Sequence, residues 1–131
     1  GLPVADGYIS SRFGPRTDPF DGRRALHKGV DFTASAGSDV FAIASGVVVW
    51  AGYEKDYGNL GEIRHSNGYR TRYAHNREYL VKPGDIVQKG QVIARVGQTG
   101  RASGAHLHLE VLSGDRQVDP MQYISTVRGD A

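Results

Sequence analysis

The side chains best suited to bind a metal or to transfer protons in this 131-residue chain are its five histidines. The chain contains no cysteine, which excludes disulfide scaffolds, thiol nucleophiles, cysteine-rich zinc sites and iron–sulfur clusters. A transition-metal site in this protein must therefore be built from imidazole and carboxylate ligands. The five histidines are His27, His65, His75, His106 and His108.

The segment that begins at His106, H-L-H-L-E-V-L, alternates polar and apolar residues as a half-buried strand does. Alternate side chains of a strand share one face, about 6.6–7 Å apart, so His106, His108 and Glu110 are expected together, opposite an apolar core face. Such a strand could present a metal ligand beside a catalytic group. Taken alone, it fits two solvent-exposed histidines equally well. Glu110 could orient a ligand imidazole or pair with an arginine, and the second, structural interpretation is favoured.

Two weaker patterns supply further groups. His27 and Asp31 are four residues apart, which places them on one face of a strand or a helix, although this spacing is common by chance. In Y-R-T-R-Y-A-H, which ends at His75, strand alternation places His75 on the same face as Tyr73. A lone histidine on such a strand is more often structural than catalytic, and the same holds for His65, which ends the preceding strand.

Taken together, these groups form a stronger signal than any of them alone. Two histidines and one carboxylate suit Zn²⁺ and leave a fourth position for water, which is the pattern of catalytic zinc. Such a metal lowers the pKa of its bound water to roughly 7. Two further histidines would remain for proton transfer and for stabilising an oxyanion. The sequence thus predicts a hydrolytic metal site that uses no cysteine.

Strands predominate among the elements that would position these groups. Asn67-Gly68 lies between two strand-like segments and is a strong hairpin turn signal. One short helical turn is expected at 119–124, with Asp119 as its N-cap. Residues 37–49 and 84–93 share a glycine–strand pattern, which indicates either a duplicated hairpin unit or chance, with equal weight. The prediction is an all-β fold with very little helix, and its strands are 28–33, 46–53, 60–65, 69–75, 91–96 and 107–112.

Composition narrows the class of protein further. The length suits one domain, and the 18 glycines, about twice average usage, indicate many turns. The net charge is only +2 and no long basic run occurs, so no nucleic-acid partner is predicted. No apolar run approaches the ~20 residues that span a bilayer, and residues 1–10 lack the basic start and apolar stretch typical of a signal peptide. Because the first residue is not methionine, we expect a mature product or a domain excised from a longer chain.

Ordered blocks along the chain resemble the LytM/lysostaphin-type zinc metallopeptidase domain of bacterial cell-wall endopeptidases. The resemblance treats residues 1–131 as one domain with a core from about Tyr8 to Ile124. The matching blocks are S-R-F-G-P-R from Ser11, H-K-G-V-D-F from His27, G-S-D-V-F-A from Gly37, Y-G-N from Tyr57, R-Y-A-H from Arg72, G-D-I-V-Q-K-G-Q from Gly84, G-A-H-L-H-L-E from Gly104 and V-D-P from Val118.

Carried onto these positions, the resemblance implies that His27, Asp31 and His108 hold one Zn²⁺ per chain. His75 and His106 would flank the water and the scissile carbonyl, one of them acting as base and both able to stabilise the tetrahedral intermediate. The implied fold is a small domain of antiparallel sheets with a groove, related to a duplicated hybrid motif. The implied substrate is a crosslink or stem peptide of peptidoglycan.

The resemblance further implies a location in the cell envelope, in the periplasm, with regulation by a segment or protein outside this chain. H-K-G-V-D and H-L-H-L-E resemble Gram-negative envelope endopeptidases more than enzymes that cut glycine bridges, which favours a D,D-crosslink as the scissile bond. Residues 18–24 and 54–59 could shape this specificity. The alternatives are a catalytically silent wall-binding activator with a LytM-like domain, a lipoyl or biotinyl carrier and a sugar-transport phosphocarrier. An active enzyme is favoured because all five polar positions are present.

Overall fold

Antiparallel strands make up most of the structure, a computed structural model that describes residues 2–17, 22–100 and 104–124. Within those ranges the only helical element is a 3₁₀ turn, Pro120–Gln122, capped by the Asp119 carboxylate, which accepts a hydrogen bond from the Met121 N–H at 3.0 Å. The all-β prediction is confirmed. The twelve strands of the described residues are β1 (Tyr8–Ser11), β2 (Gly14–Thr17), β3 (Arg24–His27), β4 (Val30–Thr33), β5 (Asp39–Phe41), β6 (Gly46–Glu54), β7 (Gly58–Arg64), β8 (Tyr69–Tyr79), β9 (Ile86–Val87), β10 (Val92–Val96), β11 (His106–Ser113) and β12 (Arg116–Val118).

Ten of these strands form one antiparallel sheet, whose main path runs β1-β4-β11-β8-β7-β6-β9. β12 pairs with β11, β10 pairs with both β5 and β8, and β2 and β3 form a separate hairpin. The predicted turn at Asn67-Gly68 joins β7 to β8, with Gly68 at a φ of +77° that glycine adopts at little cost. The two segments with a shared sequence pattern pair with each other, β5 with β10 and β6 with β9. Their origin by duplication stays a prediction.

Strand β11 lies between β4 and β8 at the centre of the sheet. Its apolar residues Leu107, Leu109 and Val111 are fully buried in the core, as the alternation predicts. The opposite face is covered as well, because His108 is 9% and Glu110 1% exposed. The interpretation of His108 as a solvent-exposed histidine is therefore wrong. A carboxylate and an imidazole buried side by side must find polar partners, which points to the site described below.

Strand β8 changes its alternation at His75, which has a φ of +64° and is the one described non-glycine residue with a positive φ. Tyr73 is fully buried in the core, where its hydroxyl accepts a hydrogen bond from the Ile43 N–H at 3.1 Å. After Tyr73 a bulge places two residues of β8 opposite one residue of β7. The expectation that His75 shares the face of Tyr73 is wrong, because the bulge turns the imidazole to the face that carries His108.

Candidate metal centre and catalytic pocket

The structure brings His27, Asp31 and His108 together although they come from three different strands or strand ends. One ligand atom of each lies within 4.8 Å of the others, so the group could hold a metal ion. Antiparallel pairing of β4 with β11 sets Asp31 directly beside His108, and His27 ends β3 just before β4 begins. His108 Nδ1 lies 2.7 Å from Asp31 Oδ1, and His27 Nε2 lies 3.3 Å from Asp31 Oδ2.

The outer hydrogen bonds of the two imidazoles decide which nitrogen each presents to this group. His27 Nδ1 donates to the Arg12 carbonyl oxygen at 2.9 Å, because a carbonyl can only accept, and Nε2 is the nitrogen that faces Asp31. His108 is held the other way round, since its Nε2 donates to the Glu110 carboxylate at 2.9 Å and its Nδ1 faces Asp31. The two rings therefore converge on one carboxylate through different nitrogens.

The charges around His108 favour a cation at this point. Burial lowers the pKa of His108, but hydrogen bonds to the Asp31 and Glu110 carboxylates outweigh it and raise the pKa to about 9. Burial raises the pKa of Asp31, and the hydrogen bonds from His108 and His27 more than compensate, so its pKa lies well below its usual range. Both carboxylates are thus ionised at neutral pH around a buried positive charge. A metal cation bound at Nδ1 would take the place of the proton there.

Two further histidines lie in the same pocket, a cavity of about 180 Å³. His75 Nδ1 donates to the Thr99 carbonyl at 2.7 Å, and His106 Nδ1 donates to the Gly104 carbonyl at 2.8 Å. Their rings are 4.9 Å apart, and neither Nε2 atom has a hydrogen-bond partner among the described residues, so both belong to one small space. Burial lowers the pKa of His75 to about 4, which keeps this imidazole neutral at physiological pH. The described residues that line the pocket are His27, Asp31, Asp56, Tyr57, His75, His106 and His108.

Glu110 makes both of the contacts that the sequence leaves as alternatives. Its Oε2 accepts the proton of His108 Nε2, and its Oε1 lies 3.6 Å from Arg72 NH1. Burial raises the pKa of Glu110, but the hydrogen bond from His108 and the charge of that ring outweigh burial, so the pKa of Glu110 lies below its usual value. Glu110 therefore sets the tautomer of His108 while its own charge is partly balanced by Arg72.

Tyr57 is the site residue for which sequence reasoning supplies no role. Its hydroxyl donates to Glu110 Oε2 at 2.9 Å, and burial together with the adjacent Glu110 charge raises its pKa to about 12. Two features of the sequence point to Tyr57 as a site residue: the Y-G-N block that begins with it, and the expectation that residues 54–59 shape specificity. Residues 18–21, part of the other segment expected to do so, lie outside the described residues.

His65 lies away from this pocket, in agreement with the structural interpretation. Its Nδ1 donates to the Ser45 carbonyl at 2.8 Å, its Nε2 is hydrogen-bonded to Thr71 Oγ1 at 2.8 Å, and its ring stacks on Tyr69. Burial lowers the pKa of His65, which fits a neutral imidazole with both nitrogens satisfied.

The donor set of the pocket identifies the class of metal that fits it. Two imidazoles and one carboxylate are borderline-soft and hard ligands of the kind that Zn²⁺ takes in catalytic sites, where a fourth position stays open. The ionised carboxylates and the absence of thiolates suit a divalent cation. His75 and His106 line the same pocket as this ligand group. Fold and site together define a metallohydrolase centre on an all-β scaffold.

Comparison with known proteins agrees with this class. The profile of Peptidase family M23 matches residues 25–120. The chain is 42% identical over 123 residues to the peptidoglycan DD-endopeptidase ShyB of Vibrio cholerae, covering 92% of this chain and 29% of that protein. It is 41% identical over 119 residues to the DD-carboxypeptidase/endopeptidase Mpg of Neisseria gonorrhoeae, covering 91% of this chain and 27% of that protein. The chain belongs to Peptidase family M23.

A solved structure supports the same assignment. The crystal structure of a zinc-containing peptidase from Vibrio cholerae matches with a TM-score of 0.85 at 41% identity, covering 92% of this chain and 38% of that one. The chain spans less than a third of the length of the two curated relatives named above. Among the residues that the structure describes, no helix is long and apolar enough to cross a membrane.

Proposed function

We propose that this chain is the catalytic part of a zinc-dependent endopeptidase that hydrolyses D,D-crosslinks between the stem peptides of peptidoglycan. The observation that carries the proposal is the pocket itself. It joins a three-residue metal-ligand group to two histidines whose Nδ1 atoms are tied to backbone carbonyls and whose Nε2 atoms are free. The family match and the names of the relatives support the reaction and the substrate.

In this proposal His27, Asp31 and His108 hold one Zn²⁺ per chain. When bound, the ion would supply Lewis-acid chemistry, polarising the scissile carbonyl and activating a water at neutral pH. Glu110 keeps the proton of His108 on Nε2, so that Nδ1 is available as a ligand. The Arg12 carbonyl does the same for His27 by holding the proton on Nδ1. The ligand geometry is thus fixed before any metal arrives.

His75 and His106 are the proton-handling groups of the proposal. Each has a free Nε2, and a neutral imidazole can accept the proton of an attacking water there. Once protonated, the same nitrogen becomes a donor that can stabilise the oxyanion or return the proton to the leaving amine. His75 has a left-handed backbone, a conformation that costs most residues of order 1–3 kcal/mol. This conformation directs the His75 ring into the pocket.

The alternative, a catalytically silent activator of another wall hydrolase, lacks a specific observation in its favour. A silent domain has no need for five polar groups with complementary tautomers in one 180 Å³ pocket. The relatives' peptidoglycan names support a location in the cell envelope, and we place the protein in the periplasm. Since the chain covers so small a share of these relatives, segments or proteins outside it are the natural place for regulation.

The proposal is tested by incubating the zinc-loaded chain with defined muropeptide dimers and identifying the released fragments by mass spectrometry. Dimers joined by a D-alanyl–diaminopimelate bond should be cleaved at that bond into two monomers. A matched dimer joined by a glycine bridge should stay intact. Cleavage of the glycine-bridged dimer alone would contradict the proposed specificity for D,D-crosslinks. Cleavage of neither dimer by zinc-loaded protein would contradict the proposed function.

A further inference from the structure

A second, larger cavity lies on the sheet beside the metal pocket. Its volume is about 430 Å³, within the range of small-ligand sites, and strands β6, β7 and β8 form it. It contains none of the histidines. The lining residues on which its chemistry depends are Trp50, Glu54, Glu62, Arg64, Arg70 and Arg72.

The cavity and the metal pocket have separate linings, and Arg72 of the first lies next to Tyr57 of the second. Strand pairing aligns Glu62 of β7 with Arg72 of β8, and Arg72 with Glu110 of β11. The Arg72 guanidinium lies 6.0 Å from the centroid of the Tyr57 ring, and Tyr57 itself lines the metal pocket. A peptide held at the histidines can therefore continue over Tyr57 and Arg72 into the larger cavity.

The arginines that line the cavity differ in how they are paired. Arg70 NH1 and Arg72 Nε both contact the buried carboxylate of Glu62, at 2.9 and 2.7 Å. Arg70 NH2 also lies 3.4 Å from Asp115 Oδ1. Arg64 is exposed and forms no ion pair with any residue that the structure describes. Arg64 is therefore the arginine of this lining whose charge has no counter-charge among the described residues.

Arg64 and Arg70 are direct cross-strand partners in the β7–β8 pairing. Like charges directly opposite each other destabilise a sheet. The charge of Arg70 is met by Glu62 and Asp115, whereas Arg64 has no ion pair among the described residues. The guanidinium of Arg64 is therefore available to bind a carboxylate from outside the chain.

Trp50 supplies an apolar surface next to these charges. It is 47% exposed although it lies on a strand of the sheet, paired with Glu62. Its indole lies along β6 over Gly52, where an added Cβ would come within 3.1 Å of the ring. Glycine at that position lets the ring rest against the strand. The exposed indole surface can pack against the aliphatic part of a ligand whose carboxylate reaches Arg64.

We propose that this cavity is a substrate subsite for a carboxylate-bearing segment of the stem peptide, with Arg64 binding the carboxylate and Trp50 packing on the aliphatic chain. The nature of the occupant rests on the proposed function. The subsite recognises charge and lies apart from the histidines, so it governs affinity for acidic stem peptides while the metal pocket governs bond cleavage.

The single tryptophan of the chain is Trp50, so intrinsic fluorescence reports directly on this cavity. The probe is the stem tripeptide L-alanyl–γ-D-glutamyl–meso-diaminopimelate, which lacks a D-alanyl bond to cleave, with its carboxylates free or amidated. Zinc-loaded wild-type chain, Arg64→Gln, Arg64→Lys and the matched control Arg77→Gln are titrated with both peptides. Arg77 is an exposed arginine of β8 that does not line the cavity.

The free-carboxylate peptide should change the Trp50 fluorescence and bind about fivefold more tightly than the amidated one, as an exposed ion pair allows. Arg64→Gln should abolish this preference, Arg64→Lys should keep most of it, Arg77→Gln should leave it intact, and added salt should weaken it. Equal affinity of wild type for the two peptides, or an undiminished preference in Arg64→Gln, overturns the subsite. The cleavage of muropeptide dimers is measured separately, so either proposal can fail while the other stands.

Discussion

His65, which directly follows β7, and His75 of β8 are two buried histidines that differ at one nitrogen. They are 6% and 7% exposed, both have a pKa lowered by burial, and both donate Nδ1–H to a backbone carbonyl. The Nε2 of His65 is hydrogen-bonded to Thr71. The Nε2 of His75 has no hydrogen-bond partner among the described residues and faces the pocket with His106.

In the proposed function, this difference separates a structural histidine from a reactive one, since burial and the direction of the pKa shift are the same for both. A buried polar nitrogen normally finds a partner in the protein, and the network of His65 with Thr71 and Tyr73 satisfies this rule. His75 instead lines the pocket, in a backbone conformation that costs energy, and its Nε2 has no partner among the described residues. In the proposed function, this nitrogen exchanges a proton with the substrate. We call the surroundings of His65 the closed region and the metal pocket with His75 the open region. The predictions below test the contrast between the two.

The largest effect is expected from the shared carboxylate of the open region. Asp31→Asn keeps the shape of the side chain but removes the charge that faces both His27 and His108. We expect purified wild-type protein to hold about one zinc per chain and Asp31→Asn to lose almost all of it, together with hydrolysis. Metal analysis after dialysis is the measurement. Asp56→Asn, a pocket-lining carboxylate outside the ligand group, is the control and should retain zinc. Wild-type zinc content in Asp31→Asn would remove Asp31 from the ligand set.

The next effect concerns the two free imidazoles. His75→Ala and His106→Ala should keep zinc and the fold, since neither belongs to the three-residue ligand group. Loss of a proton-transfer group typically costs 10²–10⁴-fold in rate, so we expect crosslink hydrolysis to fall by about that factor. Release of monomers from muropeptide dimers measures it. His65→Gln serves as the comparison from the closed region and should hydrolyse at close to the wild-type rate. A normal rate in either alanine variant would show that its imidazole is dispensable.

These two residues also show what sequence can and cannot predict here. Alternation alone placed His106, His108 and Glu110 on one face of β11, because a regular central strand keeps its period of two. The same rule misplaced His75, because a bulge and a left-handed backbone depend on the pairing of β8 with β7. Strand order, which sets Asp31 beside His108, is likewise a property of pairing between distant segments, and the family resemblance implies the ligand set without that order.

A smaller effect is expected from the carboxylate behind the site. Glu110→Gln would leave His108 Nε2 without its ionised acceptor and weaken control of the tautomer that frees Nδ1. Substitution of such a group typically costs 10–100-fold in metal affinity, which competition with a zinc-binding dye measures. Tyr57→Phe removes only one hydrogen bond to the same carboxylate and should cost less. If Glu110→Gln bound zinc as tightly as wild type, the role of Glu110 would be reduced to pairing with Arg72.

The smallest effect lies in the closed region and appears only as a dependence of stability on pH. Burial lowers the pKa of His65 below its ordinary 6.5, so on acidification the unfolded chain takes up a proton at this position before the folded chain does. The stability contributed by neutral His65 is therefore present above pH 6.5 and is lost as the pH falls below that value. We expect the wild-type advantage over His65→Gln in urea unfolding to shrink between about pH 7.5 and about pH 5.5. Titration of the other histidines is common to both proteins and cancels in the difference. An advantage that grew on acidification would mean that the network around His65 holds a charged imidazole, and the contrast with His75 would then rest on Nε2 alone.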